Sequence, residues 1–248
     1  MTLKTIFALN PALDRAALHL AFAQAGLLQV RDVLTSESAH ELRAALARGT
    51  PWGMAVRAGD GAGSPPRSFS AEALRDPATA RELNDAAQAA ARASARGDYG
   101  FRYSHCSMVE AVRQGGSGGG LHEIILEHIN SEVFLGFVRE ITGFTDLSRA
   151  DGNATLFGPN HYLGRHSDSH VAEGWRVAYV LNLPPDDWHP DWGGYLQFLD
   201  EEGDIVRGYR PRFNSLNLFA VPRLHSVSYV TPFAPLGRMA ISGWFRDW

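Results

Sequence analysis

The sequence predicts a mainly β protein whose antiparallel strands are supported by helices near the N-terminus. From residue 12 to about 148, apolar residues recur with a helical period of about 3.6. From about residue 153 to the end, short apolar stretches alternate with turn residues, a pattern typical of strands. No helical stretch interrupts this second half, which disfavours a parallel βαβ sheet and favours an antiparallel sandwich or jelly roll.

The helical half divides at glycines and capping residues. Residues 13–26 are rich in Ala and Leu and end at Gly26, a plausible C-cap. Ser and Thr N-caps open a second helix at residues 35–48, and an alternating strand at 27–34 lies between the two. Further helices are expected at residues 71–96 and, as one or two helices, at residues 121–141.

Seven strands are predicted in the second half, separated by turns rich in Pro, Gly, Asn and Asp. They cover residues 154–157, 176–183, 194–199, 205–209, 215–219, 226–230 and 238–245. Two segments rich in Gly, Ser and Pro, residues 58–67 and 114–120, predict mobile surface loops.

The composition excludes several classes of protein. With 248 residues, of which 45% are hydrophobic and 20% charged, the chain can bury a core and is not disordered. Its one cysteine, Cys106, excludes an internal disulfide and a cysteine-based zinc site. The net charge of −4 gives no case for a nucleic-acid surface. No apolar run approaches the roughly 20 residues that span a bilayer, and the N-terminus is a poor signal peptide, so we expect a cytoplasmic setting.

Three residues, His166, Asp168 and His225, suggest a metal site. Residues two apart on a strand point to the same side, so His166 and Asp168 can reach one metal ion. Two histidines and one carboxylate, with three coordination positions left open, form the ligand set of non-haem Fe(II) oxygenases. The sequence therefore predicts these three residues as iron ligands, with open positions for a cosubstrate and dioxygen.

A predicted hairpin brings Arg238 to the same site. Residues 225 and 238 are symmetric about the point between Thr231 and Pro232, within a turn rich in Pro and Gly. If the flanking strands pair around that point, His225 and Arg238 lie opposite each other, with Cβ atoms roughly 5 Å apart. A buried guanidinium without a partner is costly, so the pairing predicts that Arg238 holds an anionic ligand, such as a carboxylate bound bidentately.

These motifs together resemble the 2-oxoglutarate/Fe(II)-dependent dioxygenases. They are the run HYLGRHSDSHVAEGWRVAYVLNL, the stretch from Trp188 to Phe198 ending in GGYLQF, His225, and the terminal RMAISGWF. Within that superfamily, residues 154–248 are most similar to the ribosomal-protein and Egl-9-like prolyl hydroxylases. The resemblance implies a double-stranded β-helix (jelly roll) core, with Fe(II) as cofactor, 2-oxoglutarate and dioxygen as cosubstrates, and ascorbate as a reductant.

The resemblance also implies roles for individual residues. Arg238 would hold the distal carboxylate of 2-oxoglutarate, and Tyr179 would donate a hydrogen bond to the same carboxylate. Met and Ala follow Arg238, where another branch of the superfamily has Arg-x-Ser, so Tyr179 is expected to supply the hydroxyl. Tyr162 and Trp244 are expected to line the pocket, with Tyr162 counted among the cofactor-binding residues.

The resulting interpretation is a single oxygenase domain over residues 1–248, in which 1–150 provide helical support and outer strands and 151–248 provide the metal- and cosubstrate-binding strands. It predicts hydroxylation of a prolyl residue in a protein or peptide, with release of succinate and CO2 and with the two glycine-rich loops closing over the substrate. Neither a nucleic acid nor a membrane is an expected partner. Since ten residues follow Arg238, we expect no second domain of the kind found in eukaryotic ribosomal prolyl hydroxylases.

Two alternatives stay open at this point. One is hydroxylation of a free amino acid or another small metabolite by the same chemistry. The other belongs to a different class: a cupin-like metal protein or a non-catalytic metal-binding jelly roll, which would have no use for Arg238.

Overall fold

The computed structural model describes residues 6–59, 65–115, 120–168, 174–185 and 188–248. Six α-helices lie within these ranges, together with 3-10 helices at Ala73–Arg75 and Pro190–Trp192. The α-helices are α1 (Arg15–Ala25), α2 (Ser36–Gly49), α3 (Pro77–Ala95), α4 (Met108–Gly115), α5 (Leu121–Ile129) and α6 (Glu132–Thr142).

The helix ends follow from capping chemistry. Gly26 ends α1 in the left-handed conformation at φ 63°, as predicted from its position after an Ala/Leu-rich stretch. Thr35 caps α2 by accepting a hydrogen bond from the backbone N–H of Ser38. The predicted helix over 121–141 is two helices, because Ser131 caps α6 through the N–H of Phe134.

The strands of the described residues belong to one 13-stranded sheet, and all their pairings are antiparallel. They are β1 (Leu27–Arg31), β2 (Gly53–Ala58), β3 (Arg67–Phe69), β4 (Gly100–Ser107), β5 (Arg149–Ala150), β6 (Asn153–Phe157), β7 (Tyr162–Ser167), β8 (Trp175–Asn182), β9 (Leu196–Leu199), β10 (Ile205–Tyr209), β11 (Ser215–Ala220), β12 (Leu224–Val227) and β13 (Arg238–Arg246). The seven predicted strands correspond to β6 and β8–β13, whereas β7 was not among them.

The sheet folds into two facing rows of strands. One row has the order β1-β11-β8-β13-β6-β4, and the other has the order β7-β12-β9-β10. A short pairing of β4 with β7, at Phe101 and Leu163, joins the rows on one side. This nearly closed antiparallel arrangement with supporting helices is a double-stranded β-helix, so the predicted fold class is confirmed.

The two faces of β8 separate the helix-side core from the interior of the barrel. Val177, Tyr179 and Leu181 belong to the large core cluster formed with α1, α2, α5 and α6. Ala178 and Val180 belong to a different cluster, with side chains from β9 and β11. Because side chains alternate along a strand, odd-numbered residues of β8 face the helices and even-numbered residues face the second row of strands.

The predicted hairpin between residues 225 and 238 is wrong. β12 pairs with β7 and β9, while β13 pairs with β5, β6 and β8. The Pro/Gly-rich connection carries the chain from one row to the other, so the strands before and after it lie in different rows and do not face each other as a pair.

Parts of the two predicted loops lie outside the described residues, namely 60–64 and 116–119. Within the described part of the second loop, residues 114 and 115 continue α4. None of the helices in the described ranges has both the length and the apolar character needed to cross a bilayer.

Candidate metal and cosubstrate site

The structure brings His166, Asp168 and His225 together. His166 on β7 is directly paired with His225 on β12, and Asp168 follows the end of β7. Nε2 of His166 lies 3.5 Å from Oδ1 of Asp168, and Nε2 of His225 lies 3.6 Å from its Oδ2. The three candidate ligand atoms all lie within 4.8 Å of one another, close enough to share one metal ion.

Backbone carbonyls orient both imidazoles. Nδ1 of His166 lies 3.0 Å from the carbonyl oxygen of Gly164, and Nδ1 of His225 lies 2.8 Å from that of Arg223. Each carbonyl can accept a hydrogen bond from a protonated Nδ1, which leaves the Nε2 lone pair of a neutral imidazole directed at the carboxylate. This second hydrogen bond is the one that metal-ligating histidines make.

The electrostatics favour a neutral histidine beside an ionised carboxylate. Burial, with a contribution from the neighbouring His166, lowers the pKa of His225 to about 4. Burial pushes the pKa of Asp168 upward, but hydrogen bonds and the nearby histidines outweigh it, so its pKa is lowered overall. Metal binding needs these protonation states, because a cation competes with protons for the ligand atoms. The two-nitrogen, one-oxygen donor set therefore fits Fe(II).

Trp244 fixes the carboxylate of the triad. Its indole Nε1 donates to Oδ2 of Asp168 at 3.0 Å, and its ring stacks on Trp175 with centroids 4.0 Å apart. Its backbone N–H donates to Oδ1 of Asp151 at 2.8 Å, and Asp151 also pairs with Arg246. The indole therefore reaches Asp168 from a well-supported position, and the expected pocket-lining role of Trp244 fits the structure.

The triad opens into a cavity of about 500 Å³ enclosed by both rows of strands. This volume lies within the range of small-molecule sites. The cavity lining also includes Tyr103, Phe157, Tyr179 and Arg238.

Arg238 supplies a buried positive charge to the cavity wall. It is 2% exposed, and its Nη1 donates to the carbonyl oxygen of Gly194 at 2.7 Å. Its Cζ lies 5.1 Å from the centre of the Phe157 ring, and burial lowers its pKa to about 10. Within the described ranges, no carboxylate forms an ion pair with Arg238 and its buried Nε has no hydrogen-bond partner. Such a group requires an anionic ligand.

The position of Tyr179 differs from the expectation. It borders the cavity, but its side chain packs in the helix-side core beside Phe245, with ring centroids 4.9 Å apart. Its hydroxyl donates to the backbone carbonyl of Asp151 at 2.8 Å. Because the one phenolic proton is used in this bond, the structure argues against the assignment of Tyr179 to the cosubstrate carboxylate. The side chain that faces the barrel interior is Val180, one residue along β8.

Tyr162 is not among the residues that line the cavity. Its hydroxyl forms a hydrogen bond of 2.9 Å with Oγ of Ser94 on α3. The pairing of β7 with β12 shifts register between His166 and Leu163, and both of these residues line the cavity. This irregularity turns Tyr162 outward, so its predicted cofactor-binding role is corrected.

Tyr103 is a cavity residue that was not predicted from the sequence. It lies on β4, stacks on Phe157 with centroids 4.9 Å apart, and lines the cavity. Burial, with a contribution from the charge of Asp168, raises its pKa to about 12. No hydrogen-bond partner for its hydroxyl is found in the part of the chain that the structure describes. The alternation of Phe101, Tyr103 and His105 on one face of a strand was the available signal.

The His-x-Asp…His triad and a buried arginine share one cavity of a double-stranded β-helix, an arrangement typical of 2-oxoglutarate-dependent non-haem iron oxygenases. Comparison with known proteins agrees with this class. Residues 153–246 match the family model of the 2OG-Fe(II) oxygenase superfamily.

A prolyl 3-hydroxylase, OGFOD1 of Xenopus laevis, is 33% identical over 132 residues. The match covers 50% of this chain and 25% of that relative, so the chain spans about a quarter of its length.

Solved structures share the fold. A Pseudomonas putida prolyl-4-hydroxylase superimposes with a TM-score of 0.55 at 18% identity, covering 94% of this chain and 98% of that chain. A 2OG-Fe(II) oxygenase family oxidoreductase from Burkholderia pseudomallei gives 0.59 at 13% identity, covering 98% and 94%. A Trichoplax adhaerens prolyl hydroxylase in complex with a hypoxia inducible factor peptide gives 0.58 at 16% identity, covering 94% and 89%.

Proposed function

We propose that the protein is a 2-oxoglutarate/Fe(II)-dependent dioxygenase that hydroxylates a prolyl residue of a polypeptide. One observation carries the proposal: two imidazole Nε2 atoms and a carboxylate converge in the cavity that is also lined by a buried arginine without a carboxylate partner among the described residues. A cupin-like or non-catalytic jelly roll has no use for the arginine. The prolyl substrate is supported by the relative named as a prolyl 3-hydroxylase, 33% identical over the matched residues.

We infer that His166, Asp168 and His225 hold the iron, and that Arg238 binds the distal carboxylate of 2-oxoglutarate through its guanidinium. When bound, iron and 2-oxoglutarate supply the oxidising chemistry, in which 2-oxoglutarate and dioxygen give succinate, CO2 and one oxygen atom inserted into a C–H bond. The chain itself orients the reactants: both rows of strands line the cavity, and Trp244 donates a hydrogen bond to the carboxylate of Asp168.

Tyr103 is the hydroxyl that we assign to the cosubstrate in place of Tyr179. Tyr103 lines the cavity, and both its ring and the guanidinium group of Arg238 contact Phe157. A buried phenol needs an acceptor for its proton, and a carboxylate held by Arg238 supplies one.

We infer one oxygenase domain over residues 1–248, acting in the cytoplasm, with ascorbate as the reductant that keeps the iron as Fe(II). A protein or peptide is the proposed partner.

The test is turnover of proline-containing peptides by the purified protein with Fe(II) and 2-oxoglutarate. Succinate should form in step with a peptide that gains the mass of one oxygen atom on proline, and omission of iron or 2-oxoglutarate should stop both. Efficient turnover of free proline or another free amino acid, with no peptide modified, would assign the enzyme to the small-metabolite class. Absence of iron-dependent succinate with every substrate would favour the non-catalytic jelly roll.

A further inference from the structure

Outside the catalytic cavity, three arginines lie together on the surface: Arg31, Arg210 and Arg212, hereafter the arginine cluster. Arg31 ends β1, and the other two lie between β10 and β11. Two surface hollows of about 490 and 300 Å³ are each lined by all three residues. None of the three lines the catalytic cavity, so the cluster is a separate feature of the molecule.

Hydrogen bonds hold the cluster on a rigid support. The side-chain amide of Gln29 donates to the carbonyl of Arg210 at 3.1 Å, and the hydroxyl of Ser215 donates to that of Arg212 at 2.8 Å. The segment that follows Arg31 is tied to the same turn by Asn214, whose side chain both accepts from and donates to the backbone of Leu34. The three positive charges are therefore held near one another by the backbone.

The charge of the cluster is not neutralised within the described part of the chain. No carboxylate there lies within ion-pair distance of the three guanidinium groups, and the buried Nε of Arg210 has no hydrogen-bond partner. Partial burial, together with the charges of Arg210 and Arg31, lowers the pKa of Arg212. Asp32 lines the smaller hollow and forms no ion pair there with the three arginines. An anion bound at this position would relieve the mutual repulsion.

The shape and surroundings indicate a polypeptide anion. Tyr195, Tyr209 and Pro190 line the larger hollow beside the arginines, and these apolar surfaces suit a peptide chain. A long polyanion such as nucleic acid needs an extended basic stripe, whereas this cluster is compact on a chain of net charge −4. A single phosphate would occupy one hollow and leave the other unused.

The cluster also lies close to the catalytic cavity along the chain. Tyr195 lines the larger hollow, and the next residue, Leu196 on β9, lines the cavity. Trp188 lines the smaller hollow and packs against Gly194, whose carbonyl accepts the hydrogen bond from Arg238. The segment from Trp188 to Leu196 therefore contributes side chains both to the hollows and to the cavity.

We propose that the arginine cluster binds an acidic segment of the polypeptide substrate. The identification of the occupant as substrate rests on the proposed function. Guanidinium groups bind carboxylates with paired hydrogen bonds, so two or three Asp or Glu side chains would match the three arginines.

A binding assay without turnover tests the site. A fluorescein-labelled hexaglutamate peptide should bind the full-length protein, and fluorescence anisotropy should show a dissociation constant that rises with NaCl. The double variant Arg31→Gln/Arg212→Gln should weaken binding by about tenfold, whereas Arg31→Lys/Arg212→Lys should weaken it less. The control Arg48→Gln/Arg92→Gln removes the same charge from exposed helix positions and should bind like wild type. Circular dichroism and the melting temperature verify that all variants fold.

A turnover assay tests the occupant. Wild type should prefer a proline peptide with a glutamate extension over the same peptide with a glutamine extension, and the Gln double variant should lose this preference while it still turns over the second peptide. Unchanged hexaglutamate binding by the double variant would overturn the proposal, as would cluster-dependent binding of a hexanucleotide that displaces hexaglutamate. If cluster-dependent binding of hexaglutamate holds but wild type modifies neither peptide, the proposed function fails and the acidic-peptide site stands.

Discussion

The two ends of the catalytic cavity are built in different ways. At the metal end, His166 and His225 face each other on paired strands, and backbone carbonyls already satisfy one nitrogen of each ring. At the arginine end, Arg238 comes from β13, which belongs to the other row of strands, and holds a full charge without a carboxylate partner in the described ranges. The metal end thus carries the negative charge of Asp168 between two oriented imidazoles, whereas the arginine end carries a positive charge without a carboxylate partner in the described ranges. Variants at the two ends should therefore separate metal binding from cosubstrate binding.

The largest effect is expected at the metal end, from Asp168→Ala. Loss of the only carboxylate of the triad should reduce turnover below detection and weaken Fe(II) affinity at least about 100-fold, more than the loss of an outer hydrogen bond. The fold should persist because the core clusters do not depend on Asp168. Anaerobic titration with Fe(II) measures the metal affinity, and circular dichroism shows whether the variant is folded.

The matched control for this variant is Glu201→Ala, which removes a carboxylate from an exposed turn. It should bind metal like wild type. Iron-dependent turnover at the wild-type rate in Asp168→Ala would contradict the ligand assignment.

The second effect is expected at the arginine end, from Arg238→Ala. Loss of one partner of a buried, hydrogen-bonded charge pair costs about 2–5 kcal/mol, so the apparent affinity for 2-oxoglutarate should fall by about 100-fold or more. Metal affinity measured without 2-oxoglutarate should stay within about twofold of wild type, because Arg238 supplies no ligand atom and the ion pairs of Asp168 among the described residues are with the two histidines. Arg238→Lys should recover part of the affinity, because an ammonium keeps the charge but not the planar fork. Equal losses of metal and cosubstrate affinity would show that the two ends are not separable.

The contrast between the two ends also explains what could be predicted from the sequence. The proximity of His166 and Asp168 was predictable because residues two apart on an extended chain point to the same side, although Asp168 lies one residue beyond the end of β7. The presence of Arg238 in the cavity was predicted from a hairpin that does not exist, since symmetry about a turn does not reveal that the chain crosses between rows. The predicted directions of Tyr179 and Tyr162 differ from the structure for a similar reason. A shift of one residue along β8 moves a side chain such as Tyr179 from the barrel interior to the helix-side core. The register irregularity on β7 has the same effect on Tyr162.

The third effect concerns the support of the metal end. Trp244→Phe keeps an aromatic ring against Trp175 but removes the Nε1 donor to Asp168. Outer hydrogen bonds to metal ligands are worth about 10–100-fold in affinity, so Fe(II) affinity should fall by about tenfold with little change in 2-oxoglutarate affinity at saturating metal. Trp192→Phe alters a tryptophan that packs on Trp188 away from the triad, and it should leave metal affinity unchanged. An equal loss in both variants would mean that Trp244 acts through packing alone.

The smallest effects on cosubstrate binding and stability are expected from Tyr103 on β4 and Tyr179 on β8. The two side chains are chemically alike, but the hydroxyl of Tyr179 is bonded to the backbone of Asp151. Tyr103→Phe removes a hydroxyl that lines the cavity, so the KM for 2-oxoglutarate should rise about two- to tenfold, as expected for one hydrogen bond of about 0.5–1.5 kcal/mol. Tyr179→Phe removes the donor to the Asp151 carbonyl, so it should lower the free energy of unfolding by about 1 kcal/mol and leave that KM unchanged. Steady-state kinetics give the KM for 2-oxoglutarate of both variants, and urea unfolding gives their free energies of unfolding. A raised KM in Tyr179→Phe with none in Tyr103→Phe would mean that the phenolic proton of Tyr179 turns from Asp151 to the cosubstrate on binding, and it would return the hydroxyl role to β8.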